Sequence, residues 1–492
     1  MSRVSRRSFV SGMAAMPFAL WLQKEKTPIF RHIAWVRYEA RTSQGQKMLQ
    51  IYADAVNKMM NSTPQGDPRS WLFQWYTHAV RADKTKAGEI NAIYGSGSST
   101  NKSLATDMWN TCRAHFRSAD ETFFLPWHRM FVYYLEHMIR KISGKDEFSL
   151  PYWNYSVSGS AHGVLPPEFT KKSDPTFQWL YRDNRNPGVN GGQAIDKFDP
   201  GALDLTSLKQ KTYDPQGVAA GFNMELDSGL HGNVHVDIGD TTNMGHIPWA
   251  ARDPIFWMHH CNIDRLWASW NKNGGANPGG SWLTRTFTFA DQNGTKIISK
   301  VQDFDALAKL NYTYDFFEPP PTKFIPLPWP PPQVVLTPIQ IHGPGPVELR
   351  EEAARLPLTQ PSSRPQVEPF TLHVQRMAPE KRIFLVLRNL HADAHPGVLF
   401  HVFLDVPANT LPRQALEHRV GIINFFDAVR HGEQFAGEQQ STKFVSFDIT
   451  ELAHNLHDKK LLSEKPVVTI VPFGKPAADA RPVIGEVSIV EQ

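Results

Sequence analysis

Past residue 317 the chain changes its hydrophobic period, and no single architecture accommodates both halves. Before that point apolar residues recur at helical spacing, as in Met48, Tyr52, Ala55 and Met59 and again in Phe131, Tyr134, Leu135 and Met138. Stretches rich in Gly, Pro, Asn and Asp, such as 183–192, separate these runs and predict long loops. Glu318-Pro-Pro-Pro and Pro326-Leu-Pro-Trp-Pro-Pro-Pro then open a Pro-rich run to Pro365. Such a run forms neither a regular helix nor a central strand, and it predicts an extended linker. Beyond it Phe370, Leu372 and Val374 alternate with Thr371, His373 and Gln375, and short apolar runs begin at Ile383, Val398, Val420, Val445, Val467 and Ile484. Short strands between turn residues predict an antiparallel β-sandwich. The expected organisation is mainly α over 28–317 with long loops, a linker at 318–365 and an all-β unit at 366–492.

The 52 basic and 48 acidic residues leave a formal charge of +4, which makes no case for nucleic acid as the partner. No run approaches the roughly 20 apolar residues of a membrane span. Ser5-Arg6-Arg7-Ser8-Phe9-Val10, followed by a modest apolar stretch to Leu22, resembles a twin-arginine export signal over 1–27 and predicts a periplasmic or secreted protein. Two cysteines, Cys112 and Cys261, exclude a disulfide framework.

Histidines carry the chemistry. His231-Gly-Asn-Val-His235 puts two imidazoles one turn apart on one helix face, where both reach a single metal ion. Asp253-Pro-Ile-Phe256-Trp-Met-His259-His260-Cys-Asn-Ile-Asp264-Arg265 supplies a third ring from a neighbouring helix. Such a three-imidazole site keeps an open position for a further ligand. A second set is spread over about 50 residues: His78 after an aromatic run, His115 after Cys112, and His128 in Phe124-Leu-Pro-Trp-His128-Arg129. Any one of these histidines alone is as well explained by core packing. Together, with no Cys-rich site and no Glu between the paired histidines, they argue against a zinc peptidase and for copper.

On these two motifs the chain resembles the tyrosinase and catechol oxidase family over roughly Val36 to Tyr314. The resemblance implies a four-helix bundle holding two copper ions, the first on His78, His115 and His128, the second on His231, His235 and His260, with His259 a neighbour. His115 stands thirteen residues before His128, a longer gap than the family pattern. Cys112 is the candidate for a family-type thioether to His115. Asp227 or Glu225 is the candidate carboxylate to position a water or accept a phenol proton, and Asp264 with Arg265 is expected to pin the helix of His260. Gly232, where hydroxylating members often carry Asn, and the apolar gate Val236 hint at catechol oxidation over monophenol hydroxylation. The implied reaction oxidises a small phenol or catechol to an o-quinone, with O2 as co-substrate. The C-terminal sandwich resembles a shielding domain that keeps the enzyme latent. A specialised maturation oxidase for a peptide or secondary metabolite, or a haemocyanin-like O2 carrier, uses the same centre.

Overall fold

The computed structural model describes residues 35–112, 122–321, 340–359, 369–429 and 443–492. The expected export segment, much of the Pro-rich run and His115 lie outside the described residues. No helix among those described is long and apolar enough to cross a membrane.

Five helices position the histidines: α1 (Ser43–Asn61), α2 (Trp71–His78), α3 (Phe124–Ser143), α4 (Gly232–Ile238) and α5 (Ile255–Lys272). Met48, Tyr52, Ala55 and Met59 form the buried stripe of α1, and the Thr42 hydroxyl caps its first turn. Ser70 caps α2 by accepting the Phe73 N–H at 3.1 Å. Gly144 ends α3 at φ +69°, a left-handed conformation that glycine adopts without penalty. The start of α5 is fixed by Asp253, which accepts the Ile255 N–H and is gripped by Arg185 at 2.8 and 2.9 Å. Burial pushes the Asp253 pKa up, but Arg185, Arg182 and the Ile255 N–H together turn the net shift downward. From Ile255 to Trp270 every residue of α5 is buried, so the helix runs through the interior, packed along α3. Strands β1 (Trp35–Arg37) and β2 (Tyr312–Tyr314) pair in parallel and bring the two ends of this unit together.

The C-terminal part holds β3 (Gln340–His342), β4 (Ala354–Pro357), α6 (Phe370–Arg376), β5 (Ile383–Leu390), β6 (Phe400–Leu404), β7 (Arg419–Ile423), β8 (Lys443–Asp448), β9 (Val467–Pro472) and β10 (Glu486–Glu491). They form two antiparallel four-stranded sheets, ordered β7-β6-β9-β4 and β8-β5-β10-β3. Leu385, Leu387, Val487 and Ile489 of one sheet share an apolar core with Phe400, Val402, Val468 and Ile470 of the other.

Two expectations are corrected here. The alternating stretch from Phe370 is a helix, because the two fully buried side chains, Phe370 and Val374, are four apart while Leu372 is only half-buried. Residues 340–342 and 354–357, assigned to the linker, are the edge strands β3 and β4. An edge strand tolerates proline, and Pro357 sits at the end of β4.

The two parts touch through polar and apolar contacts. His401 meets Asp199 at 2.9 Å, Arg419 lies 3.7 Å from Asp204, and Gln492 accepts the Val218 N–H and donates to Gln216 O, both at 2.8 Å. Leu399, Ile422 and Phe426 are buried in the core of the helical unit rather than in that of the sheets.

Candidate metal centre

The helices bring two groups of donors together. His231, His235, His259 and His260 have one donor atom each within 4.8 Å of the others; His78, Cys112 and His128 form a second such group. None of the six histidines is more than 2% exposed. The groups abut, since the His128 and His260 rings stack at 4.2 Å between centroids. Residues 113–121, and His115 with them, lie outside the described residues, but the chain enters that segment from inside the second-named group, where Cys112 Sγ is 3.6 Å from His128 Nε2.

Local structure presents each ring. A wide π-type turn, Leu226–His231, kinked at Gly229, runs into α4 and turns His231 inward. His128 Nδ1 is 2.9 Å from Phe124 O, and His235 Nδ1 is 2.8 Å from Met244 O. A carbonyl only accepts, so Nδ1 carries the proton and the Nε2 lone pair is left for a metal. His231 Nδ1 lies 3.0 Å from Asp227 Oδ1. Among the described residues, neither ring nitrogen of His259 or His260 has a protein partner, nor does His235 Nε2. Burial lowers the pKa of His78 to about 3 and those of His128, His235, His259 and His260 well below the ordinary value. These rings are neutral ligands at neutral pH. Buried imidazole nitrogens converging in two adjoining groups are what a pair of metal ions requires, and a set dominated by imidazole suits copper.

Aromatic rings seal the site. Phe124 packs on His128 and His231 with centroids 4.8 and 4.7 Å away, and Phe256 on His260 at 4.2 Å. Phe426, from the C-terminal part, stacks on His235 at 4.2 Å and meets the His231 ring edge-on at 5.7 Å.

The other expected residues fall differently. Asp227 faces His231 rather than open space, which makes it a partner of the ring. Glu225 is hydrogen-bonded to Gln210 and raised in pKa by burial, and its recorded partners include none of the six rings. Val236 is buried on α4, beside His235. Gly232 is buried against Asn424. Asp264 does not pair with Arg265. Adjacent helix residues point about 100° apart, and Asp264 is held by Arg129 and by Arg37 at 3.1 Å while Arg265 reaches Glu318 at 2.8 Å. The sequence reading missed Phe426 and Asn424. Their signal was a short segment, 422–426, too apolar on both faces for a strand with one face to water.

Comparison with known proteins agrees with this geometry. The model for the common central domain of tyrosinase matches residues 68–192 and 181–273, and a domain of unknown function, DUF7868, matches 343–492. Tyrosinase HcTyr1 of Hahella sp. (strain CCB-MM4) is 31% identical over 293 residues, 54% of this chain and 60% of that protein. The latent form of a chloroplastic polyphenol oxidase from Prunus armeniaca is 25% identical over 454 residues, 84% of this chain and 69% of the relative. The chain thus spans less than two thirds of the first and little more than that of the second. A solved latent aurone synthase (polyphenol oxidase) superposes with a TM-score of 0.62 at 20% identity, over 94% of this chain and 90% of that one, which is a likeness of fold. Two histidine motifs, their convergence and these matches together make the chain a member of the tyrosinase and polyphenol oxidase family of type 3 copper proteins.

Proposed function

We propose that this protein oxidises small phenols or catechols to o-quinones with O2 at a pair of copper ions, the first on His78, His115 and His128 and the second on His231, His235 and His260. The observation that carries the reading is the contact of the two groups through His128 and His260, which makes neighbours of any two ions held there. Copper, when bound, supplies the two-electron exchange with O2 that side chains lack. The chain's own part is to hold geometry. The carbonyls of Phe124 and Met244 fix two rings by their Nδ1–H groups, and His231 Nδ1 lies 3.3 Å from the Asp227 carbonyl and 3.0 Å from its carboxylate. Phe124 and Phe256 exclude water from the rings. Asp227, against His231, orients that ring, and Glu225 is tied to Gln210. The bare Gly232 and apolar Val236 favour a catechol over a monophenol.

The C-terminal unit acts as a cover. Phe426 lies flat on His235, in the kind of place a phenol ring needs, so the intact chain is latent. The deciding experiment loads the protein with copper, counts ions per chain, and follows catechol and tyrosine oxidation before and after the chain is cut between residues 318 and 340 and the parts are separated. Two ions and catechol oxidation that rises on separation are expected. One ion or none, or no oxidation after separation, overturns the proposal.

A further inference from the structure

The segment that follows β7 enters the helical unit by its own alternation. In extended chain, successive side chains face opposite ways. Ile423 and Phe425 lie in the core shared by the two sheets, whereas Ile422 and Phe426 lie in the core of the helical unit. Asn424 faces the same way as Ile422 and Phe426 and is fully buried. Its Nδ2 donates to Ser228 O and to Asn233 Oδ1, both at 2.8 Å, and its Oδ1 accepts the Phe426 N–H at 3.2 Å. Ser228 and Asn233 flank His231, and Phe426 is the ring on His235. One carboxamide therefore joins the His231 turn to the covering ring.

Gly232 makes room for it. The φ of −63° and ψ of −36° at Gly232 are ordinary right-handed helix, open to any residue, and glycine is a poor helix former. Backbone shape does not explain a glycine here. Space does: a Cβ at 232 would lie 2.6 Å from Asn424 Oδ1, 2.7 Å from Nδ2 and 2.9 Å from Cγ. Those approaches include the buried end of a side chain already fixed by three hydrogen bonds, so it has little freedom to yield.

We propose that Gly232 and Asn424 form a latch. The glycine is the socket, the carboxamide is the bolt, and the seated bolt aims Phe426 at His235. Position 232 is then a docking determinant for the cover, and its lack of a side chain serves closure of the site as well as the choice of phenol. The inference rests on the reading of the histidine groups as the active centre.

Two readouts test it. In copper-free, uncut protein, hydrogen–deuterium exchange is followed at the amides of 226–238. In copper-loaded protein, catechol oxidation is measured uncut, and again after cutting and separation. Asn424→Ala is expected to speed exchange at 226–238 and to raise uncut activity about 5–30-fold, the equilibrium shift of losing one or two buried hydrogen bonds, with the separated helical unit unchanged. Gly232→Ala is expected to speed exchange too, and to add little in an Asn424→Ala background, since the clash is then gone. Wild-type exchange and wild-type latency in Asn424→Ala would overturn the latch, as would additive effects of the two substitutions. Faster exchange with no oxidation in any sample, separated wild type included, would uphold the latch and remove the oxidase reading instead.

Discussion

Asp264 lies one turn beyond His260 and is enclosed on all sides. Burial pushes its pKa up, but Arg129, Arg37 and the hydroxyls of Tyr314 and Tyr312 together hold it below the usual carboxylate range. Tyr312 donates to it at 2.7 Å, and Tyr314 donates to it as well. Asp264→Ala leaves two buried guanidinium groups facing each other, and a loss of about 3–5 kcal/mol in unfolding free energy is expected. Denaturant titration of the copper-free protein checks this, and a loss under about 1 kcal/mol would mean the network is solvated. The residue itself was legible, since it closes the His260 motif. Its partners were not: Arg37 is 227 positions away, and nothing in local pattern announces the pairing. Asp227 shows a different limit. Its spacing from His231 placed it near the site, but only the side-chain geometry sets its carboxylate 3.0 Å from the ring nitrogen.

Among the elements, helices were read from their apolar stripes, and α1 and α3 carry the stripes expected of them. The apolar runs from Ile383 to Ile484 likewise overlap strands of the two sheets. Alternation over the short stretch at Phe370 was ambiguous, because a buried pair four apart fits one turn of helix as well as it fits a strand. The edge strands β3 and β4 were hidden by the prolines around them. Most telling is 422–426, where neighbouring side chains serve different cores. Phe425→Ala is expected to weaken the sheet unit by about 3–5 kcal/mol, the cost of a buried phenylalanine. Phe426→Ala is expected to leave unfolding of the sheet unit in place while raising catechol oxidation by the uncut chain. Calorimetry beside an activity assay separates the two outcomes, and matching effects from both substitutions would count against the alternation.

For the molecule as a whole, the buried rings set its tolerance of acid. His78, His128, His235, His259 and His260 all have folded pKa values below the ordinary 6.5 because burial disfavours the charged ring. The unfolded chain therefore binds protons that the folded chain refuses. Stability from these groups is complete above about pH 6.5 and falls as the pH drops below it, by up to about 1.4 kcal/mol per group for each pH unit. Copper-free protein is thus expected to show a Tm that drops steeply from pH 7 to pH 5. A flat Tm over that range would mean that the rings reach water.

If the proposed reading holds, the chain carries both the site and the ring that covers it, and this has a consequence for dilution. While the backbone is continuous, Phe426 is presented to His235 at an effective concentration in the millimolar range, whatever the amount of protein in solution. One cut between the units turns the same contact into an ordinary bimolecular equilibrium. Nicked protein is then expected to stay quiet when concentrated and to become active when diluted. In a large volume the cut works nearly as a one-way valve, since a departed cover seldom meets a site again at such dilution.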